Sequence, residues 1–148
     1  FPSFFFFPSP PPPPNNNNNK MHTHSLVGHC LMESPLVRGV RLWPTLWHHL
    51  PGLRFELIGD TIGRPLGMEN GRISDLQLTA SSELDENTKA CYARLAETRG
   101  ARAWTPAPTD PEPFLQVDMG HVQLLTAVLL QGDPVRAAWV TSFVLKVD

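Results

Sequence analysis

The second half of the sequence predicts an all-β fold, a sandwich or a barrel, and three observations carry that expectation. Apolar and polar residues alternate with period two in several short runs after Pro65. Turn-forming residues separate those runs. No stretch there sustains helical spacing.

The first predicted strand covers residues 76–80, where Leu-Gln-Leu-Thr-Ala suits a half-buried position. Residues 114–118 place Leu115 and Val117 on one face and Gln116 and Asp118 on the other. Residues 122–131 are almost wholly apolar after Gln123, the texture of a strand covered on both sides. Residues 139–147 alternate most cleanly, with Trp139, Thr141, Phe143, Leu145 and Val147 on one face. Asn70-Gly71, Thr109-Asp110-Pro111, Met119-Gly120 and Gly132-Asp133-Pro134 are the expected turns.

The chain ahead of Pro65 has a different texture. Ten of the 16 prolines fall there, seven of them in the first 14 residues. Residues 1–20 form a low-complexity tail of Phe, Pro and Asn blocks, expected to be disordered, with a polyproline tendency at residues 10–14. The order of those blocks resembles a translated non-coding tract. Residues 21–64 show no sustained period, because Pro44 and Pro51 interrupt the helical spacing of Trp43, Trp47 and Leu50. They remain unassigned and are expected to be disordered or mistranslated. His22, His24, His29, His48 and His49 with Cys30 suggest a metal site, but nothing in the pattern makes them converge, and none is expected. The chain opens with Phe rather than Met, as a fragment would.

Charge narrows the function classes. Residues 1–64 carry +2 and residues 65–148 carry −4, within a net charge of −2. There is no basic footprint for nucleic acid, and the acidic half is a poor match for an anionic surface. No run approaches the roughly 20 apolar residues of a membrane helix. Cys30 and Cys91 do not make a disulfide framework. No Ser/His/Asp set, carboxylate pair or phosphate loop is found, so no catalytic residue and no cofactor is expected.

One series of motifs is specific. Residues 65–82 read PLGMENGRISDLQLTASS; Ala93-Arg94-Leu95 and Ala103-Trp104-Thr105-Pro106 follow. Leu115-Gln116-Val117-Asp118-Met119-Gly120, Leu130-Gln131-Gly132 and Trp139-Val140-Thr141-Ser142-Phe143 complete it. In this order the elements resemble the first part of a discoidin domain, the coagulation factor V/VIII type C family. The resemblance implies a galactose-binding-like jelly-roll β-sandwich, incomplete at its C-terminus, over residues 65–148. Arg94, Trp104, Asp118 and Trp139 are then expected to be structural: the tryptophans in the core, Arg94 and Asp118 in buried or semi-buried pairs.

In such domains ligands meet loops at one end of the barrel, here residues 83–92, 105–113 and 133–138. The candidate contact residues are Leu84, Asp85, Glu86, Asn87 and Lys89 in the first loop, Thr109 and Asp110 in the second, and Asp133, Val135 and Arg136 in the third. Lipid-binding members carry apolar tips among basic residues. Here the first loop is acidic, and Leu84 and Val135 are its and the third loop's only apolar candidates. The expectation is a non-catalytic extracellular module for cell adhesion or matrix and receptor interaction, with a protein or glycan partner. Phosphatidylserine binding ranks second, and a gene-model fragment without independent function is the third reading. The family's opening Cys is replaced by Ile62, so its terminal disulfide is absent. The later strands are also absent after Asp148, which is expected to leave a sheet face and edges open.

Overall fold

The computed structural model describes residues 25–60 and 62–148, together with the backbone course of Phe4–Pro8. Residues 10–19, His22 and His24 lie outside the described residues. The strands are β1 (Phe4–Pro8), β2 (Val27–Cys30), β3 (Leu36–His48), β4 (Arg54–Gly59), β5 (Arg64–Pro65), β6 (Leu78–Ala80), β7 (Leu115–Gln131) and β8 (Trp139–Val147). Two 3-10 turns, Asp75–Gln77 and Ala90–Tyr92, are the only helical elements among the described residues. The fold is all-β and its strand pairs are antiparallel.

β7 organises the domain. Its first half pairs with β3 and β6, and its second half pairs with β2 and β4, so one long strand serves two sheets. β8 completes the first sheet by pairing with β3, and β1 lies along its outer edge. Met119-Gly120 is therefore not a turn. The chain stays in one strand and bends there. Gly120 has φ +79, a conformation that costs a side-chain-bearing residue but not glycine. The Asp118 carboxylate accepts the Gly120 N–H at 2.8 Å and fixes the bend.

The expectation of disorder over residues 21–64 is corrected for the described part. Breaks in register near Arg38 and after Pro44 hid β3 from a periodicity reading. Val40, Leu42 and Pro44 are buried at period two, but Val37 is out of phase because the register shifts between Val37 and Gly39. A second irregularity follows Pro44 and accommodates a residue that cannot donate to the ladder. In β4 every residue is buried, including Arg54 and Glu56, so no alternation exists to be read. Phe4–Pro8 likewise belongs to a strand rather than a disordered tail, because the edge of β8 offers a free ladder to a Phe-rich segment.

The open sheet expected after Asp148 is also corrected. β3 runs between β7 and β8, and β4 flanks the other half of β7. The core accordingly mixes both halves of the chain. Val37, Leu42, Leu53, Phe55 and Leu57 are buried beside Trp104, Leu115, Leu125, Val128, Phe143 and Leu145. β6 is shorter than predicted. Leu76 is 94% exposed in the 3-10 turn, and pairing starts at Leu78.

Glu56 joins the halves most tightly. Its side chain is buried, and its Oε1 accepts N–H bonds from Leu57, Gly67 and Met68 at 3.0, 3.2 and 3.0 Å. Its Oε2 accepts the Glu69 N–H at 2.8 Å. Gly67 has φ +122, and a Cβ there would lie 2.5 Å from Cβ of Arg72, so only glycine turns this loop onto the carboxylate.

Candidate functional site

The first loop touches both others, the Leu84 N–H donating to the Thr105 carbonyl at 2.9 Å and Asp85 pairing with Arg136, and most of the loops' polar groups are used internally. In the first, the Ala90 N–H donates to Glu83 and the Asn87 N–H to Asp85, both at 2.8 Å. Thr88 is buried and ties the loop to itself by donating to the Asp85 carbonyl and accepting the Asp85 N–H. Lys89 pairs with Glu86. In the second loop, Asp110 accepts from the hydroxyls of Ser81 and Ser82, and these bonds hold its carboxyl below the usual range. In the third, Asp133 is fully buried and its Oδ1 accepts the N–H groups of Val135 and Arg136 at 2.8 and 3.0 Å.

Arg136 links two loops. Its guanidinium lies 3.4 Å from Asp133 and 3.3 Å from Asp85. The candidates thus divide into two groups. Asp85, Lys89, Asp110, Asp133 and Arg136 are engaged in shaping the loops. Glu86, Asn87, Thr109 and Val135 face outward, with Leu84 half-buried.

The structure adds a fourth segment that sequence reasoning missed. The β3–β4 turn sits beside the third loop: Trp47 pairs in register with Val140, and His48 with Trp139. A Cβ on Gly52 would come within 2.8 Å of Cβ of Asp133, so the turn and the third loop pack backbone to side chain. His48 stacks on Trp139 with ring centroids 4.1 Å apart. Leu46 and Trp47 are 64% and 43% exposed at this end, with Val135 at 61%. The Pro51-Gly52 pair was the available turn signal in the sequence.

The structural residues divide similarly. Trp104 is fully buried and its indole N–H donates to the Ser82 carbonyl at 3.0 Å. Arg94 is buried, bonded to the Met68 carbonyl and to Asp75 at 2.7 Å. Two expectations are corrected. Asp118 is about half exposed and pairs with Arg38 at 3.2 Å, because it lies on the face of β7 opposite the buried Val117 and Met119. Trp139 is only partly buried, since it begins β8 at the loop end and stacks on His48 instead of entering the core. Cys30 and Cys91 are free thiols, and burial raises the Cys91 pKa. Among the described residues no His, Cys, Asp and Glu side chains group as a metal site would require.

An open hollow lies at Glu69, Asn70, Ser74, Asp75, Arg94 and Arg99. The Arg99 guanidinium at 3.0 Å, and next to it Arg94, holds the Asp75 carboxyl below the usual carboxylate range. A carboxylate whose folded-state pKa is depressed stabilises the fold above its unfolded pKa of about 4 and loses that contribution as pH falls through the folded value. Asp75 is nearly half exposed, so water screens the pair to about 1 kcal/mol or less. The stability difference between the parent chain and Asp75→Asn is therefore expected to shrink as pH falls from about 5, roughly one unit above the unfolded pKa, to about 2, roughly two units below it. Urea melts across that interval measure it, and a constant difference would contradict the assignment.

A β-sandwich with its loops gathered at one end defines a class of loop-presenting modules. Residues 77–148 match the family profile described as F5/8 type C domain. They belong to that family, the discoidin domains. Among curated proteins the chain is 40% identical over 104 residues to neuropilin-1 of Xenopus laevis, covering 66% of this chain and 11% of the relative. It is 33% identical over 108 residues to the venom prothrombin activator omicarin-C non-catalytic subunit of Oxyuranus microlepidotus, covering 68% and 7%. It is 36% identical over 113 residues to coagulation factor VIII of Sus scrofa, covering 72% and 5%. The chain thus spans about a tenth or less of the length of these relatives. A coverage of 66% is about 98 residues, more than the ~84 that follow Arg64, so the similarity to neuropilin-1 includes residues ahead of Pro65. No solved structure matches significantly.

Proposed function

We propose that this chain is a non-catalytic extracellular binding module that meets a protein or glycan partner, at a cell surface or in the matrix, through its loop end. The observation that carries the reading is the division of the loop residues. Internal bonds from Asp85, Asp110, Asp133 and Arg136 fix the loop backbones, while Asn87, Thr109 and Val135 face outward together with Glu86, whose pair with Lys89 lies at the exposed surface. The relatives support the non-catalytic part, one being named a non-catalytic subunit. Names such as coagulation factor and venom subunit accord with an extracellular setting.

A phospholipid surface is the second reading, favoured by Leu46, Trp47 and Val135 at the same end. These provide the apolar contact that the first loop lacks, although Glu86 opposes an anionic headgroup layer. Binding of the full chain to immobilised glycans and matrix proteins is compared with sedimentation on phosphatidylcholine vesicles, with and without phosphatidylserine. The expected result is saturable binding to a glycan or protein that Glu86→Ala with Asn87→Ala weakens about tenfold, the scale of 1.4 kcal/mol. Binding confined to phosphatidylserine vesicles and abolished by Trp47→Ser would replace the first reading by the second.

A further inference from the structure

The strand order shows a division of the domain into a receptor and a donor. β8 pairs only with β3 and β1 among the described strands, and neither partner comes from the segment that follows Asp60. Within that segment β7 finds only the three residue pairs of β6. Its remaining edges are taken by β2, β3 and β4. A seat for three strands therefore exists, β3 between β7 and β8 and β2 and β4 along the second half of β7. Residues 25–59 fill it.

The covalent connection between donor and receptor is one exposed turn. β4 and β5 close at Gly59 and Arg64, with Ile62, Gly63 and Arg64 exposed. At the other end the last residue lies against the donor: the Arg38 N–H donates to the Asp148 carbonyl at 2.7 Å, and the Asp148 N–H donates to the Gly39 carbonyl at 3.0 Å. Side chains bind across the same seam. Arg41 donates to Gln116 and stacks over Phe114 at 4.2 Å, and the Phe55 N–H donates to the Ala93 carbonyl at 2.9 Å. All of these contacts are made by residues outside the 60–63 turn.

We propose that residues 62–148 form a binding site for a β3–β4 segment, that the contacts holding residues 25–59 there suffice without the covalent link through the 60–63 turn, and that the same segment of a second copy of this chain can take the seat. The chemistry recognised is an alternating strand with Val40 and Leu42 inward, followed by a fully buried strand carrying Glu56 for the 67–69 amides. Exchange of an identical element through a short exposed connection is a low-cost route to pairing of copies.

The test places a protease site in the 60–63 turn of the full chain and cleaves it after folding. Cleaved protein, half of it labelled with heavy nitrogen, is mixed with the unlabelled form and followed by native mass spectrometry. The expected result is a complex of the two pieces that stays together and, with time, mixed-isotope pairs. Separation of the pieces, or pairs that never mix, would overturn the proposal. If the inserted site itself prevents folding, a reordered chain decides: residues 62–148, a two-residue Asn-Gly turn, then residues 36–60. Asp148 pairs with Gly39, three residues into the appended segment, so Asn-Gly and residues 36–38 together connect β8 to β3. A cooperative melt supports the receptor and donor division, and absence of folding contradicts it.

Discussion

A chain reduced to residues 62–148 is expected to show no cooperative unfolding and to aggregate at micromolar concentration. The shortened chain retains the motifs of the family and loses half of the sheet. Removal of Val37, Val40, Leu42, Leu53, Phe55 and Leu57 deletes six core side chains. At about 1.5–3 kcal/mol each, their burial amounts to roughly 9–18 kcal/mol as an upper bound, against a net stability of about 5–15 kcal/mol for a typical domain. The deletion also leaves β8 without a strand partner from the retained residues and exposes the edges of β7 beyond its three residue pairs with β6. Thermal unfolding by circular dichroism checks this, and a sharp melt of the shortened chain would show that the retained strands pair without β3 and β4.

Replacement of Glu56 by Ala is expected to be the most damaging single change, by about 3 kcal/mol or more. The carboxylate is buried and accepts four backbone N–H groups, from Leu57, Gly67, Met68 and Glu69. Alanine leaves those donors unsatisfied, each at roughly 1–3 kcal/mol if water cannot reach it. The 67–69 loop is the entry to the family segment, so its release also loosens Met68, which is fully buried. Glu56→Gln retains one acceptor oxygen but turns an amide NH2 toward a donor, so its cost is expected to be about half as large. Urea titration of the three proteins orders them as parent, Gln, Ala. Equal midpoints would show that the carboxylate does not hold the loop.

Legibility of the fold followed the physics of each element. β8 was readable because Phe143, Leu145 and Val147 turn inward at period two, and they are buried in the structure. The composition of β7 was readable but its length was not, since Gly120 looks the same in a turn and in a bend of a continuous strand. β3 was obscured by irregularities near Arg38 and Pro44 that shift its inward residues out of phase. β4 was obscured because burial on both faces removes the alternation, and Arg54 and Glu56 read as surface residues until their partners are known. Arg54 donates to the Gly132 carbonyl at 3.0 Å, a contact 78 positions away that no local pattern reports.

The loop end was legible in part. The positions of the three loops followed from the family motifs, and they converge through contacts such as Arg136 with Asp85. Which of their charges face outward was not legible, because Asp133 and Asp110 are consumed by backbone and hydroxyl donors close to them in space. The Leu46 and Trp47 contribution was missed because the strand that carries it was not recognised.

The central claim is that the strands of residues 25–59 pair with those of the family segment in both sheets. Backbone hydrogen exchange on the full chain tests it most directly. The Phe55 N–H donates to Ala93, Leu125 to Pro35, and Asp148 to Gly39, all across the seam. The account predicts that the amides of Leu42, Phe55 and Leu57 are protected as strongly as those of Val128 and Leu145, and that all lose protection together as denaturant rises. Unprotected amides over residues 36–59, with protection retained in β7 and β8, would contradict it.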